Sequence, residues 1–161
     1  MPKTNYNHPV NILPHEGKVF LYPGFFNPNE SAKLFKELMH KVPWKQEPIR
    51  IFGKEIMQPR LTAWYADKGI SYSYSGITMK GFDWNEPLLL IKKRIENFFK
   101  ISCNSALLNL YRDGNDSMGW HRDNEKELGR HPVIISVSFG AARKFQLREY
   151  KTKENLISLD L

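Results

Sequence analysis

At 161 residues the chain is the size of one domain, and with 41% hydrophobic and 13% aromatic residues it can fill a core, which excludes a disordered or low-complexity class. Its 24 Lys and Arg against 17 Asp and Glu leave a net charge of +7, a field that favours a polyanion such as a phosphate backbone. The single cysteine, Cys103, excludes an intrachain disulfide framework; with no apolar leader in Met1–Asn7 and no run of membrane-spanning length, the expectation is an intracellular protein with no membrane partner.

Residues 1–18 are polar and proline-containing, which predicts a loose arm with one short strand ahead of a domain over 19–161. Asn27-Pro28-Asn29-Glu30 carries an N-cap Asn, Pro at the first helical position and Glu at the third, followed by Leu34, Phe35, Leu38 and Met39 on one stripe; Pro43 ends this first helix. Residues 45–82 read as a β-rich insert dense in aromatics. Within it, Pro48 to Lys54 predicts two strand ends around a tight turn, with Ile51 and Phe52 at the tip and basic residues beside them. That tip either wedges into a base stack or packs on the core. Tyr72 and Tyr74 alternate in a further strand, able to stack on a flipped base or to pair across strands.

A second helix begins at Asn85-Glu86-Pro87 and is expected to bury Leu88, Ile91, Ile95, Phe98 and Phe99, with Lys92, Lys93, Arg94 and Lys100 facing water or phosphate. Leu107, Asn109 and Tyr111 then alternate with Ala106, Leu108 and Leu110, a strand that places an amide and a phenol on one face. Asp113-Gly114-Asn115 supplies a turn toward His121. Val133, Ile135, Val137 and Phe139 predict a strand ended by Gly140, Lys144 to Leu147 a third, and Asn155 to Leu161 a last one.

The chemistry lies in His121-x-Asp123. In an extended segment residues two apart share a face and can bind one metal, and imidazole plus carboxylate is two-thirds of the 2-His-1-carboxylate arrangement that holds one face of Fe(II). A bare His-x-Asp is common by chance, so its neighbours decide the reading.

Those neighbours, Asn109-Leu110-Tyr111, Gly119-Trp120-His121-Arg122-Asp123, Ser136-Val137-Ser138-Phe139-Gly140 and Arg143-Lys144-Phe145, stand in one order and spacing. On them the chain resembles the AlkB family of Fe(II)/2-oxoglutarate dioxygenases, and most resembles its vertebrate duplex-DNA repair members. The resemblance implies a mixed α+β fold, a double-stranded β-helix (jelly roll) with the two N-terminal-half helices packed on one sheet. It implies Fe(II) bound by His121 and Asp123, 2-oxoglutarate bonded to Asn109 and Tyr111, and O2 as the third reactant. Ile51-Phe52-Gly53 falls where these proteins carry a finger hairpin, Pro59-Arg60 follows at the same spacing, Tyr72 to Ser75 would line the base pocket, and Glu125 matches a carboxylate facing the exocyclic amine of the methylated base. Asn124 stands where similar proteins often carry Asp.

The implied activity is oxidative demethylation of 1-methyladenine or 3-methylcytosine with release of formaldehyde, by a monomer on nucleic acid, duplex DNA favoured, in the cytoplasm of a bacterium or the nucleus of a eukaryote. Similar proteins continue past a strand like Asn155–Leu161 with a distal iron-binding His and 2-oxoglutarate-clamping Arg residues, so the expectation is an incomplete domain with its last strands missing and its activity lost or impaired. His131, beside Pro132, sits where the family has no ligand. The alternatives are a non-catalytic nucleic-acid-binding module and an AlkB-like oxygenase acting on RNA or protein.

Overall fold

A computed structural model describes residues 9–14, 17–51, 53–74, 77–124, 128–154 and 156–161. They form two helices and four two-stranded antiparallel sheets, divided into two compact units: residues 38–134, and residues 1–37 together with 135–161.

The first helix, α1, runs Pro28–Lys41. Its start is a reciprocal cap, with the Glu30 amide donating to Asn27 Oδ1 and the Asn27 amide donating to Glu30 Oε2, each at 3.0 Å. The expected apolar stripe is only partly covered. Leu34 is buried, whereas Phe35 and Met39 each stay 39% exposed. Pro43 lacks the amide a further turn would need, and the helix stops before it.

In the 38–134 unit, β1 (Pro48–Ile51) and β2 (Lys54–Met57) form the expected hairpin, with Ile51 opposite Lys54. Gly53 closes it at φ +77, a left-handed conformation that side chains resist, with open space where a Cβ would sit. All of β2 is exposed, so the hairpin projects, and its base is fixed by Gln58 N–H to Glu47 O at 3.1 Å and Gln46 Nε2 to Gln58 O at 2.8 Å.

The core of this unit is β3 (Leu61–Ala66), whose residues Thr62 to Ala66 are all buried. It is enclosed because both edges are paired. On one side lies β6 (Ser105–Leu110), in the register Leu61↔Leu110 and Thr62↔Asn109. On the other, Lys45 exchanges backbone bonds with Thr62, and Phe82 bonds Trp64 and Ala66. A Cβ on Gly81 would come within 2.9 Å of Ala66 Cβ, so this close approach requires glycine. Strands β4 (Ser71–Tyr74) and β5 (Ile77–Lys80) form a second hairpin, with Tyr72 opposite Met79 and Tyr74 opposite Ile77.

The second helix, α2, runs Glu86–Phe99, capped by Asn85 Oδ1 accepting from the Leu88 amide at 3.2 Å and ended by Lys100 in the left-handed region. Leu88, Ile91 and Ile95 are buried as the spacing predicts, and Pro87 with them, but Phe98 is exposed: it packs edge-on against its neighbour Phe99, ring centroids 4.8 Å apart, instead of entering the core. Lys92 does not face water freely. Its ammonium bonds Asp67 at 2.9 Å and sits 4.6 Å over the Trp84 ring, while Trp84 Nε1 donates to the same carboxylate at 2.7 Å. These bonds tie the middle of α2 and the segment before it to the residue that follows β3.

In the other unit, β7 (Lys144–Leu147) pairs with β8 (Ile157–Asp160), extended by reciprocal bonds between Arg143 and Leu161. The strand expected over 133–139 is not in a ladder among the described residues. Its alternation survives in burial, Ile135, Val137 and Phe139 being half-buried between exposed Ser136 and Ser138. Periodicity sets which faces are covered, but a strand also needs a backbone partner. Near the N-terminal end, Asn11 Oδ1 accepts from Val19 N–H at 2.8 Å and Ile12 N–H donates to Val19 O at 2.9 Å, folding this stretch back on itself.

Candidate metal and co-substrate site

Asn109 is the penultimate residue of β6, held by the ladder opposite Thr62. Its amide oxygen accepts from Arg60 Nε at 2.8 Å, and Arg60 is only 8% exposed. Arg60, which the resemblance sets beside the nucleic acid, precedes β3 and is bonded to the amide expected to face the co-substrate. Tyr111 follows directly after the strand and is half-buried.

Beyond Tyr111 the chain turns where Asp113-Gly114-Asn115 predicted. Asp113 Oδ1 accepts from the Asn115 amide at 2.7 Å. A stronger device closes the turn. The Arg112 guanidinium grips buried Asp116 with two bonds of 2.8 Å, and the Arg112 backbone amide donates to the same carboxylate at 2.8 Å. The bond to Asp116 raises the guanidinium pKa above its ordinary value, so Arg112 stays charged. Ser117 N–H then donates to Pro59 O at 2.8 Å, so the segment leading to His121 leaves from beside Arg60.

The His121 ring is anchored through Nδ1, 2.9 Å from the Gly119 carbonyl. A carbonyl only accepts, so Nδ1 carries the hydrogen and the Nε2 lone pair is free to bind a metal. Asp123 Oδ1 lies 3.5 Å from that Nε2, and both side chains are about half exposed, 48% and 46%. Two ligand atoms each about 2.1 Å from one metal at a right angle stand about 3 Å apart, so the pair fits two adjacent positions of a metal. Among the described residues no third His, Cys, Asp or Glu joins them in a cluster. His131 is exposed in a left-handed turn, φ 55.

Of the remaining expected site residues, Gly53 sits at the hairpin tip, and Ile51, Tyr72 and Tyr74 are placed by backbone position in β1 and β4. Phe52, Ser75 and Glu125 lie outside the described residues. The sequence reading missed two partners: Arg60 for Asn109, and Asp116 for Arg112. The second was legible as Arg and Asp four apart around a Gly-Asn turn; the first joins residues 49 apart and left no local signal.

The model of the 2OG-Fe(II) oxygenase superfamily matches residues 18–161. The chain is 44% identical over 139 residues to the cattle protein named alpha-ketoglutarate-dependent dioxygenase alkB homolog 3, covering 86% of this chain and 48% of that one. It is 44% identical over 133 residues to the human protein of the same name, covering 82% and 46%. To the mouse DNA oxidative demethylase ALKBH2 it is 37% identical over 136 residues, covering 83% and 57%. The chain thus spans about half the length of the curated relatives it matches. It belongs to the 2OG-Fe(II) oxygenase superfamily, whose fold is a jelly roll, and within it to the AlkB family.

Proposed function

We propose that the whole protein is an oxidative demethylase of N-alkylated bases in DNA, 1-methyladenine and 3-methylcytosine, acting inside the cell as a monomer. The observation that carries this reading is the His121–Asp123 pair, with Nδ1 anchored and Nε2 facing the carboxylate at 3.5 Å, in a chain of this family. His121 and Asp123 would hold Fe(II), and Asn109 and Tyr111 would hold 2-oxoglutarate. When bound, these and O2 supply the oxidising chemistry. One oxygen atom of O2 would become the hydroxyl on the methyl carbon, and the other would go to 2-oxoglutarate, which leaves as succinate and CO2; the C–N bond then breaks with its electron pair on the ring nitrogen, the hydroxyl loses its proton, and formaldehyde leaves.

Residues 45–82 form the recognition insert of a domain over 19–161, behind an arm over 1–18, and the two helices back one sheet of a jelly roll. In that insert Ile51, Phe52 and Gly53 enter the duplex, and Tyr72, Tyr74 and Ser75, with Glu125 from the segment after Asp123, receive the flipped base. The exposed β2 strand and the net charge of +7 support approach to a phosphate backbone.

The test is formaldehyde release from duplex and single-stranded oligonucleotides carrying one methylated base. Phe52→Ala removes a ring that fills the gap left by the base, a stacking contribution of about 1 to 3 kcal/mol, so duplex turnover falls about tenfold and single-strand turnover far less. Equal loss on both strands would refute the wedge; binding of methylated DNA without turnover in the whole protein would make it a non-catalytic binding module.

A further inference from the structure

The sequence resemblance gives Arg60 to the nucleic acid, but its surroundings point elsewhere. The residue is more than nine-tenths buried, and its Nε–H bond to Asn109 Oδ1, at 2.8 Å, is close to the ideal length. An asparagine amide has two unlike ends, an acceptor oxygen and a donor nitrogen, and left alone it turns either end outward. Arginine has five donors and no acceptor. The atom of Asn109 that meets Arg60 must therefore be the oxygen, and Nδ2 with its two hydrogens is the end left to face a ligand. Among the described residues no carboxylate lies within ion-pair distance of Arg60, so its charge also favours an anion nearby.

We infer that Arg60 is a positioning residue for co-substrate binding: it locks the Asn109 carboxamide with its NH2 outward, as a donor to the oxygen atoms of the 2-oxoglutarate dianion. The inference rests on the reading that Asn109 binds 2-oxoglutarate. The same corner serves the metal segment, because Pro59 O accepts from Ser117 N–H. It also ends the recognition hairpin, because Gln58 O accepts from Gln46 Nε2 and from the Arg60 amide. Arg60 thus lies where hairpin, co-substrate amide and metal segment meet, with only 8% of its surface exposed.

The experiment measures 2-oxoglutarate affinity by calorimetry with Mn(II) in place of Fe(II), and methylated duplex affinity by fluorescence anisotropy, on the whole protein. Arg60→Gln offers Asn109 either a donor or an acceptor, so 2-oxoglutarate binding should weaken about tenfold, with duplex affinity changed less than about twofold. Arg60→Lys still only donates and should recover part of the loss. In an Asn109→Ala background the Arg60→Gln change should have no further effect on 2-oxoglutarate, an outcome that general damage to the fold does not produce. Asn109→Asp keeps the bond to Arg60 and its melting temperature, but turns an acceptor outward and should lose 2-oxoglutarate binding. The inference is overturned if Arg60→Gln weakens duplex binding while sparing 2-oxoglutarate, if its effect persists in the Asn109→Ala background, or if Asn109→Asp binds as wild type. If Asn109→Ala alone leaves the affinity unchanged, the assignment of Asn109 to the co-substrate fails first and takes the inference with it.

Discussion

The two halves of the candidate site are built by opposite means. Asn109 stands on a strand whose partner, β3, is buried from Thr62 to Ala66, and its amide is gripped by an arginine from below. His121 and Asp123 stand on a segment in no ladder, half exposed, held by a turn staple at one end and by the ring's own bond to Gly119. One half therefore inherits its precision from the core, and perturbing it costs stability and binding together. The other draws its geometry from local bonds and from the metal it would hold, so function and stability separate there.

The sharpest way to break the contrast is His121→Ala. It should abolish formaldehyde release by the whole protein while leaving the folding free energy within about 0.5 kcal/mol of wild type, because the ring is half exposed and packs on little. A large loss of stability would place His121 in the fold rather than at a metal. Asp116→Ala acts at the join of the two halves. It removes a buried carboxylate that accepts three bonds from Arg112 and should cost about 2 to 4 kcal/mol by chemical denaturation, with a parallel loss of activity as the turn loosens.

Gly81→Ala tests the buried half alone. The added carbon would meet the Ala66 backbone and side chain at about van der Waals overlap, and a destabilisation of about 1 to 3 kcal/mol is expected without a selective effect on the His121 segment. The smallest effect belongs to Asp67. Hydrogen bonds from Lys92 first and Trp84 second hold its pKa below the ordinary 3.8. A depressed carboxylate pKa adds stability that is present above the unfolded value and disappears as pH falls through the folded one. The stability gap between wild type and Asp67→Asn should therefore be modest at neutral pH and shrink below about pH 4. A gap that widened in acid would reverse the assignment.

Much of the local structure could be read from side chains acting on their own backbone. Asn27 with Glu30, Asn85 with Pro87, and Gly53 in a two-residue loop each satisfy a nearby amide or an unusual dihedral, so the start of both helices and the first hairpin follow from a few adjacent residues. The His121-x-Asp123 spacing likewise brings imidazole and carboxylate to 3.5 Å with no help from distant elements. The stripe on α1 and the end of α2 were less legible, since Phe35, Met39 and Phe98 have the periodicity of core residues but stay exposed. Residues 133–139 keep the alternation of a strand without its ladder, because alternation is a property of one segment and pairing of two.

By itself, then, the sequence determined the caps, the turns, the metal-type pair and the family, all carried by short-range bonding or by motif order. Only the tertiary structure decided that Arg60 is buried against Asn109, that Lys92 is drawn from solvent to Asp67, and that Gly81 passes so close to Ala66. Each of these joins residues far apart in the chain, and which distant groups meet depends on how β3 is enclosed on both edges, a collective outcome of packing that no local pattern encodes.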